Sequence, residues 1–177
     1  MAHLSAYLID VPKVYLETTI FNFHFAGTRG QFYGKTVDYC RDTRRFFDAV
    51  RDGDFEAYTS LDVINELLGI RNEAHKDEIL KLIDGCRVVI LPHDETVGRL
   101  ARMYVEAGAV PKAYMTDARH IAATAVHGLD LIVSLNFRYI VKEKAGRITA
   151  QVNAGEGLGA VEILEPEEAL KWRSTTT

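Results

Sequence analysis

The sequence predicts an α/β domain: about five short strands in a mostly parallel sheet, with helices on both faces in a three-layer α/β/α sandwich. Three observations lead there. Short apolar runs recur along the chain, at Val14-Tyr15-Leu16, residues 87–91, Leu131-Ile132-Val133 and residues 161–164. Amphipathic stretches of helical period separate them. The runs are continuously apolar rather than alternating, as strands covered on both sides should be.

Each element has its own signal. Val14-Tyr15-Leu16 ends abruptly at Glu17-Thr18-Thr19. Residues 31–51 are amphipathic, with Phe32, Cys40, Phe47 and Val50 among the apolar positions and Lys35, Arg41, Arg44 and Arg45 between them. Asp52-Gly53-Asp54 is turn chemistry that stops this helix. Residues 55–59 read as a strand, and Ser60 can cap a helix over 61–70. A second helix over 73–84 ends at Gly85. Residues 87–91 (RVVIL) then predict a buried strand. Residues 94–107 and 114–127 predict helices stopped by Gly108 and Gly128. Leu131-Ile132-Val133 is a buried strand, and a helix is expected over 136–144. Gly155, Gly157 and Gly159 mark a loop before the last strand, and Pro166 suits the first turn of a closing helix.

The 177 residues fit one domain, 1–177, with both termini frayed. Cys40 and Cys86 are too few for a disulfide framework and fit a reducing compartment. The net charge of −4 excludes a uniformly basic DNA-coating protein, though not a local basic rim. No stretch approaches the roughly 20 apolar residues of a membrane span. The start, MAHLSAYLIDVPK, reads as no signal peptide. A cytoplasmic protein is the expectation.

In parallel α/β sheets the working crevice lies at the carboxyl ends of the strands. Glu17 follows the first strand. Glu66 lies on the helix fed by the second, at the edge of the apolar arc of Val63, Ile64, Leu67, Leu68 and Ile70. Asp117 shares a helix face with Ile121, Thr124 and Gly128. Ser134 and Asn136 follow the Leu131-Ile132-Val133 strand. Three carboxylates around one crevice repel each other, so one takes a proton or a cation neutralises the set. Oxygen ligands suit Mg²⁺ or Mn²⁺, which would polarise a phosphate and activate water.

The runs VYLETTIFN, TSLDVINELL, TDARHIAATAVHGLDLIVSLNFRYI and VEILEPEEAL resemble, in order and spacing, the successive motifs of a PIN domain. The resemblance covers residues 13–171 and is nearest to small VapC-toxin-like members. It implies a Mg²⁺- or Mn²⁺-dependent endoribonuclease with RNA as substrate, in some members the toxin of a toxin–antitoxin pair. Carried over by position, Glu17, Glu66 and Asp117 fill the first three acid positions, as catalytic residues and metal ligands. Asn136 falls where many members carry a fourth acid, and the resemblance makes it a fourth catalytic residue and metal ligand, through its carbonyl oxygen. Two features depart from the pattern: Glu17 is one methylene longer than the usual Asp, and Asn136 is neutral. Thr18 and Ser134 offer hydroxyls near the same residues.

Arg29, Lys35, Arg41, Arg44 and Arg45 form one cationic group, and Arg138, Lys142, Lys144 and Arg147 another, where phosphate steering would be useful. Tyr33, Tyr39 and Tyr139 could stack on bases. The helices within residues 31–84 offer apolar surface for a homodimer or an antitoxin helix. His120 and His127 stand roughly 10.5 Å apart along a helix axis, awkward for one zinc ion. No G-x-x-x-x-G-K-[ST] loop is present, which excludes a P-loop NTPase. Two other readings compete with the ribonuclease: an RNA-binding or scaffolding module without hydrolysis, motivated by Asn136, and a metal-dependent phosphatase acting on small substrates.

Overall fold

The computed structural model describes residues 11–26, 35–136, 138 and 140–176. β1 (Lys13–Leu16) lies at the centre of the sheet. It pairs with β2 (Glu56–Ser60) on one side and β4 (Leu131–Val133) on the other. β3 (Val89–Leu91) extends the sheet past β2, and β5 (Glu162–Leu164) past β4. All four pairings are parallel, in the order β3-β2-β1-β4-β5.

The connections hold α1 (Thr18–Ala26), α2 (Lys35–Arg51), α3 (Leu61–Leu68), α4 (Glu73–Gly85), α5 (Glu95–Glu106), α6 (Met115–Val126), α7 (Glu143–Gly155) and α8 (Pro166–Thr176). α2 packs against α1 and α8, while α5 packs against α6 and α7, so helices flank the sheet as a three-layer α/β/α sandwich. Apart from Lys13 at the start of β1, the two central strands are apolar and covered: Val14, Tyr15, Leu16, Leu131, Ile132 and Val133 have no exposed surface. Each such large apolar side chain stabilises by about 1.5–3 kcal/mol relative to exposure. Phe21, Phe46, Phe47 and Phe55 continue this core in tilted and edge-on contacts, 5.1–6.2 Å between ring centroids. Cys40 and Cys86 are buried free thiols.

Several local expectations are corrected. Thr18 opens a nine-residue helix directly after Glu17. The stretch TTIFNFHFA is apolar nearly all round, so it shows no helical period to read. The 87–91 strand narrows to Val89–Leu91 and is buried only at Leu91: Val89 and Ile90 are 49% and 45% exposed, because β3 is an edge that pairs with β2 alone. No helix starts at Asn136. Its carbonyl accepts from Ile140 and Val141 in a turn, Lys142 is extended, and α7 begins at Glu143. The helix expected to 70 ends at Leu68, and Tyr114 closes a single 3-10 turn before α6.

The Pro12 carbonyl accepts from the Glu56 amide at 2.9 Å, and α8 runs on to Thr176. Residues 1–10 and 177, and the expected helical start at 31–34, lie outside the described residues. Leu61, Leu68 and Leu80 on α3 and α4 are exposed. Among the described residues no helix is long and apolar enough to cross a membrane.

Candidate functional site

The chain runs outward from β1 through β2 to β3, then returns to lay β4 on the other side of β1. The direction of winding therefore reverses between β1 and β4. Ligand crevices of open parallel sheets lie at such a reversal, beyond the carboxyl ends of the strands. Glu17 follows β1 there, and Ser134 and Asn136 follow β4.

Glu17 is 3% exposed, and a buried carboxylate needs donors. Among the described residues it has three, all on one oxygen. Oε2 accepts from the Thr19 amide at 3.1 Å, the Thr19 hydroxyl at 2.5 Å and the Ser134 hydroxyl at 3.0 Å. Ser134 Oγ in turn accepts from the Asn136 amide at 2.9 Å. The Asn136 side chain then donates through Nδ2 to Asp117 Oδ1 at 3.0 Å. On the other side, Thr18 Oγ1 donates to Glu66 Oε2, and His120 Nε2 stands 3.6 Å from that same oxygen. His120 is three residues past Asp117 on α6, a spacing that places both on one helix face. The contacts close a ring: Glu17, Ser134, Asn136, Asp117, α6, His120, Glu66, Thr18 and back to Glu17.

Two contacts hold the ring from behind. Tyr15 Oη lies 2.9 Å from His120 Nδ1 and 2.7 Å from Ser60 Oγ, all fully or nearly fully buried. With neutral His120 the phenol donates to Nδ1 and Ser60 donates to the phenol. With charged His120 both directions reverse, so the chain is satisfied in either state. Ser60 does occupy the cap position of α3, but it makes no capping bond, because its hydroxyl goes to Tyr15. Arg119 on α6 donates to Asp62 on α3 at 2.8 Å, which fixes the helix bearing Asp117 against the helix bearing Glu66.

The electrostatics follow from this crowding. Burial pushes the Asp117 carboxyl up, the charges of Glu17 and Glu66 add to it, and the group titrates at about 6 despite His120 and the Asn136 donor. Burial also raises Glu66, but the His120 contact and the Thr18 hydroxyl outweigh it and hold this carboxyl below its usual range. Burial disfavours charge on His120. The surrounding Glu66, Glu17 and Asp117 outweigh it and raise the imidazole above its ordinary value. At 3.6 Å the His120–Glu66 contact is an ion pair too long for a hydrogen bond, and Nε2 is a buried nitrogen with no hydrogen-bond partner.

The four predicted site residues are thus linked. Thr18 and Ser134 are bound to them directly, to Glu66 and Glu17. Asn136 is turned as a donor toward Asp117. Thr19, Tyr15 and Ser60 were not anticipated. Thr19 carried a readable signal, since a Thr two residues past a buried acid can bond back to it.

Among the described residues, no three His, Cys, Asp or Glu side chains close into a ready-made metal cage. The donor set still fits a hard cation. The oxygens bonded within the ring are Glu17 Oε2, Glu66 Oε2 and Asp117 Oδ1, and each carboxylate keeps its other oxygen outside that ring. Mg²⁺ retains several waters and needs only one or two direct carboxylates.

The two cationic groups fare differently. Arg41 pairs with Asp38 and Asp42, Arg45 with Asp42, and Arg44 donates to the His24 carbonyl. These three tie α2 together and to α1. Arg29, Tyr33 and Tyr139 lie outside the described residues, as does the Lys35 side chain. Tyr39 meets Phe23 edge-on at 6.1 Å, a packing contact. In the second group, Arg138, Lys142 and Lys144 line one cavity, with Arg147 not among its walls.

Asn136→Asp tests the contact with Asp117. It replaces a donor by a charge facing an already crowded carboxylate. The metal-free variant should lose about 1–2 kcal/mol near pH 7.5 and regain it with Mn²⁺. Unchanged melting in both conditions would contradict the contact.

No family model matches the chain, and no curated protein matches it.

Proposed function

We propose that this protein is a Mg²⁺- or Mn²⁺-dependent endoribonuclease of the PIN type, cutting RNA phosphodiesters at the crevice between β1 and β4. The observation that carries the reading is the crowding at Asp117: burial and the nearby charges of Glu17 and Glu66 push its carboxyl up to about 6. Such a set favours occupancy by a divalent cation over three bare charges. Its position at the reversal of the sheet supports an active crevice.

Glu17, Glu66 and Asp117 would hold the cation. When bound, it supplies Lewis-acid polarisation of the phosphate and an acidified water as nucleophile. The rest is the work of the chain. Three donors on Glu17 Oε2, from Thr19 and Ser134, fix that carboxylate. Asn136 orients Asp117 through Oδ1. His120, held by Tyr15, stands beside Glu66 and keeps it ionised. Partners that orient ligands in this way typically matter 10–100-fold in metal affinity or activity.

A labelled mixed-sequence single-stranded RNA tests this directly, with Mn²⁺, with Mg²⁺ and with EDTA. Cutting is expected with either metal and none with EDTA. Cutting that persists in EDTA contradicts the proposal. One feature favours a second reading, RNA binding without hydrolysis: Asn136 brings no charge and spends its amide on Asp117. That reading predicts RNA binding that EDTA leaves unchanged and no cutting with either metal.

A further inference from the structure

A cavity of about 270 Å³ opens where two segments meet. One is the turn between α5 and α6, at Gly108, Ala109 and Pro111. The other follows β4 and enters α7, at Arg138, Lys142 and Lys144. Three of its walls are cationic and none is acidic. Among the described residues, no ion pair or hydrogen bond engages the Lys142 or Lys144 ammonium. Arg138 lies over the Tyr114 ring, 5.8 Å from its centroid, which fixes one wall to the segment entering α6. Lys142 sits at the cap position of α7 without a capping side-chain bond. The positive end of the helix dipole therefore adds to the three side chains.

The same two segments carry the candidate site. Asp117 follows Tyr114 by three residues, Asn136 precedes Arg138 by two, and the Asn136–Asp117 bond stitches them together. The cavity and the acidic group are therefore built on the same two segments, with opposite charge. Another cavity, about 430 Å³ between α2 and α8, is walled by Asp38, Asp42, Glu165 and Glu167 beside Arg41, and would repel an anion.

We propose that the Arg138–Lys142–Lys144 cavity is a phosphate-binding subsite, which holds one backbone phosphate of a single-stranded RNA next to the crevice. The inference rests on the nuclease reading for its substrate. A strand with one phosphate in this cavity lies across these two segments, which orients its neighbouring linkage toward Asp117. Phosphate contacts position a strand without reading its sequence. The subsite therefore contributes affinity and register, not base preference.

Binding of a fluorescent single-stranded RNA dodecamer, in EDTA and across a salt series, tests it. One phosphate neutralised on a single strand contributes about 0.7 to the salt slope, or about five-fold in affinity near 0.1 M salt. Lys142→Gln/Lys144→Gln should lose both amounts. Lys13→Gln/Lys81→Gln removes equal charge toward the amino ends of the strands and should lose neither. All four lysines are exposed, so the core is untouched. Equal losses in the two variants, or a wild-type protein that binds no RNA, overturn the subsite. Cleavage is scored separately. RNA held through these lysines but never cut with Mn²⁺ overturns the nuclease reading and leaves the subsite standing.

Discussion

Replacing Asp117 by asparagine is expected to lower RNA cleavage more than about 100-fold, beyond the range seen for residues that only orient metal ligands. The same change should make the metal-free protein more stable near pH 7.5. The sign follows from the titration. The Asp117 carboxyl is raised in the folded chain from its ordinary value to about 6, so its contribution is best when protonated and is lost as pH rises through about 6. Asparagine keeps the acceptor for Asn136 Nδ2 and removes the charge that Glu17 and Glu66 repel. Discounted for partial exposure, the gain is about 1–2 kcal/mol, or roughly 3–6 °C in melting temperature for a chain of this size. Below about pH 4 the gain should vanish, because the native carboxyl is then neutral in both states. Thermal unfolding of both proteins across pH checks this. A variant less stable than the native protein near pH 7.5 would show that the carboxylates do not crowd one another.

His120→Ala should cost about 2–4 kcal/mol. The side chain has no exposed surface, so its removal leaves a cavity against Tyr15. Tyr15 Oη also loses one of its two partners in a region with no access to water. A fall of roughly 6–12 °C in melting temperature is expected. Glu66 loses its neighbouring imidazole at the same time, and its carboxyl should titrate higher, since burial then acts on it with only Thr18 opposing. A melting point unchanged by the substitution would contradict the buried chain from Ser60 to Glu66.

Much of this was readable before any coordinates. Continuous apolar runs marked β1 and β4, because strands buried on both faces need no polar alternation. RVVIL shows the limit of that signal. The same β-branched composition serves an edge strand whose Val89 and Ile90 face water. Apolar character reports strand formation and not which neighbour covers it. TTIFNFHFA hid a helix because its period is masked by aromatic residues on all sides.

At the site, Glu17, Glu66, Asp117 and Asn136 were found by their places after strands and on inward helix faces. Of their partners, Thr18 and Ser134 were named beside them, while Tyr15, Thr19 and Ser60 were not. Tyr15 and His120 lie 105 residues apart, and Ser134 and Glu17 lie 117 apart, so only the fold brings them together. The direction of the Asn136 amide is likewise a property of the folded turn at 136–141. In the first cationic group, Arg41, Arg44 and Arg45 hold α2 to itself and to α1. Asp38 and Asp42 stood in the sequence beside those arginines at helical pairing distance, and that was the available warning.

The central claim is that Glu17, Glu66 and Asp117 form one divalent-cation site. Counting bound Mn²⁺ by electron paramagnetic resonance tests it most directly, with the native protein and Asp117→Asn side by side near pH 7.5. The account predicts saturable Mn²⁺ binding by the native protein, displaced by Mg²⁺, and its loss in the variant. Equal binding by both proteins, or none by a folded native protein, would contradict it.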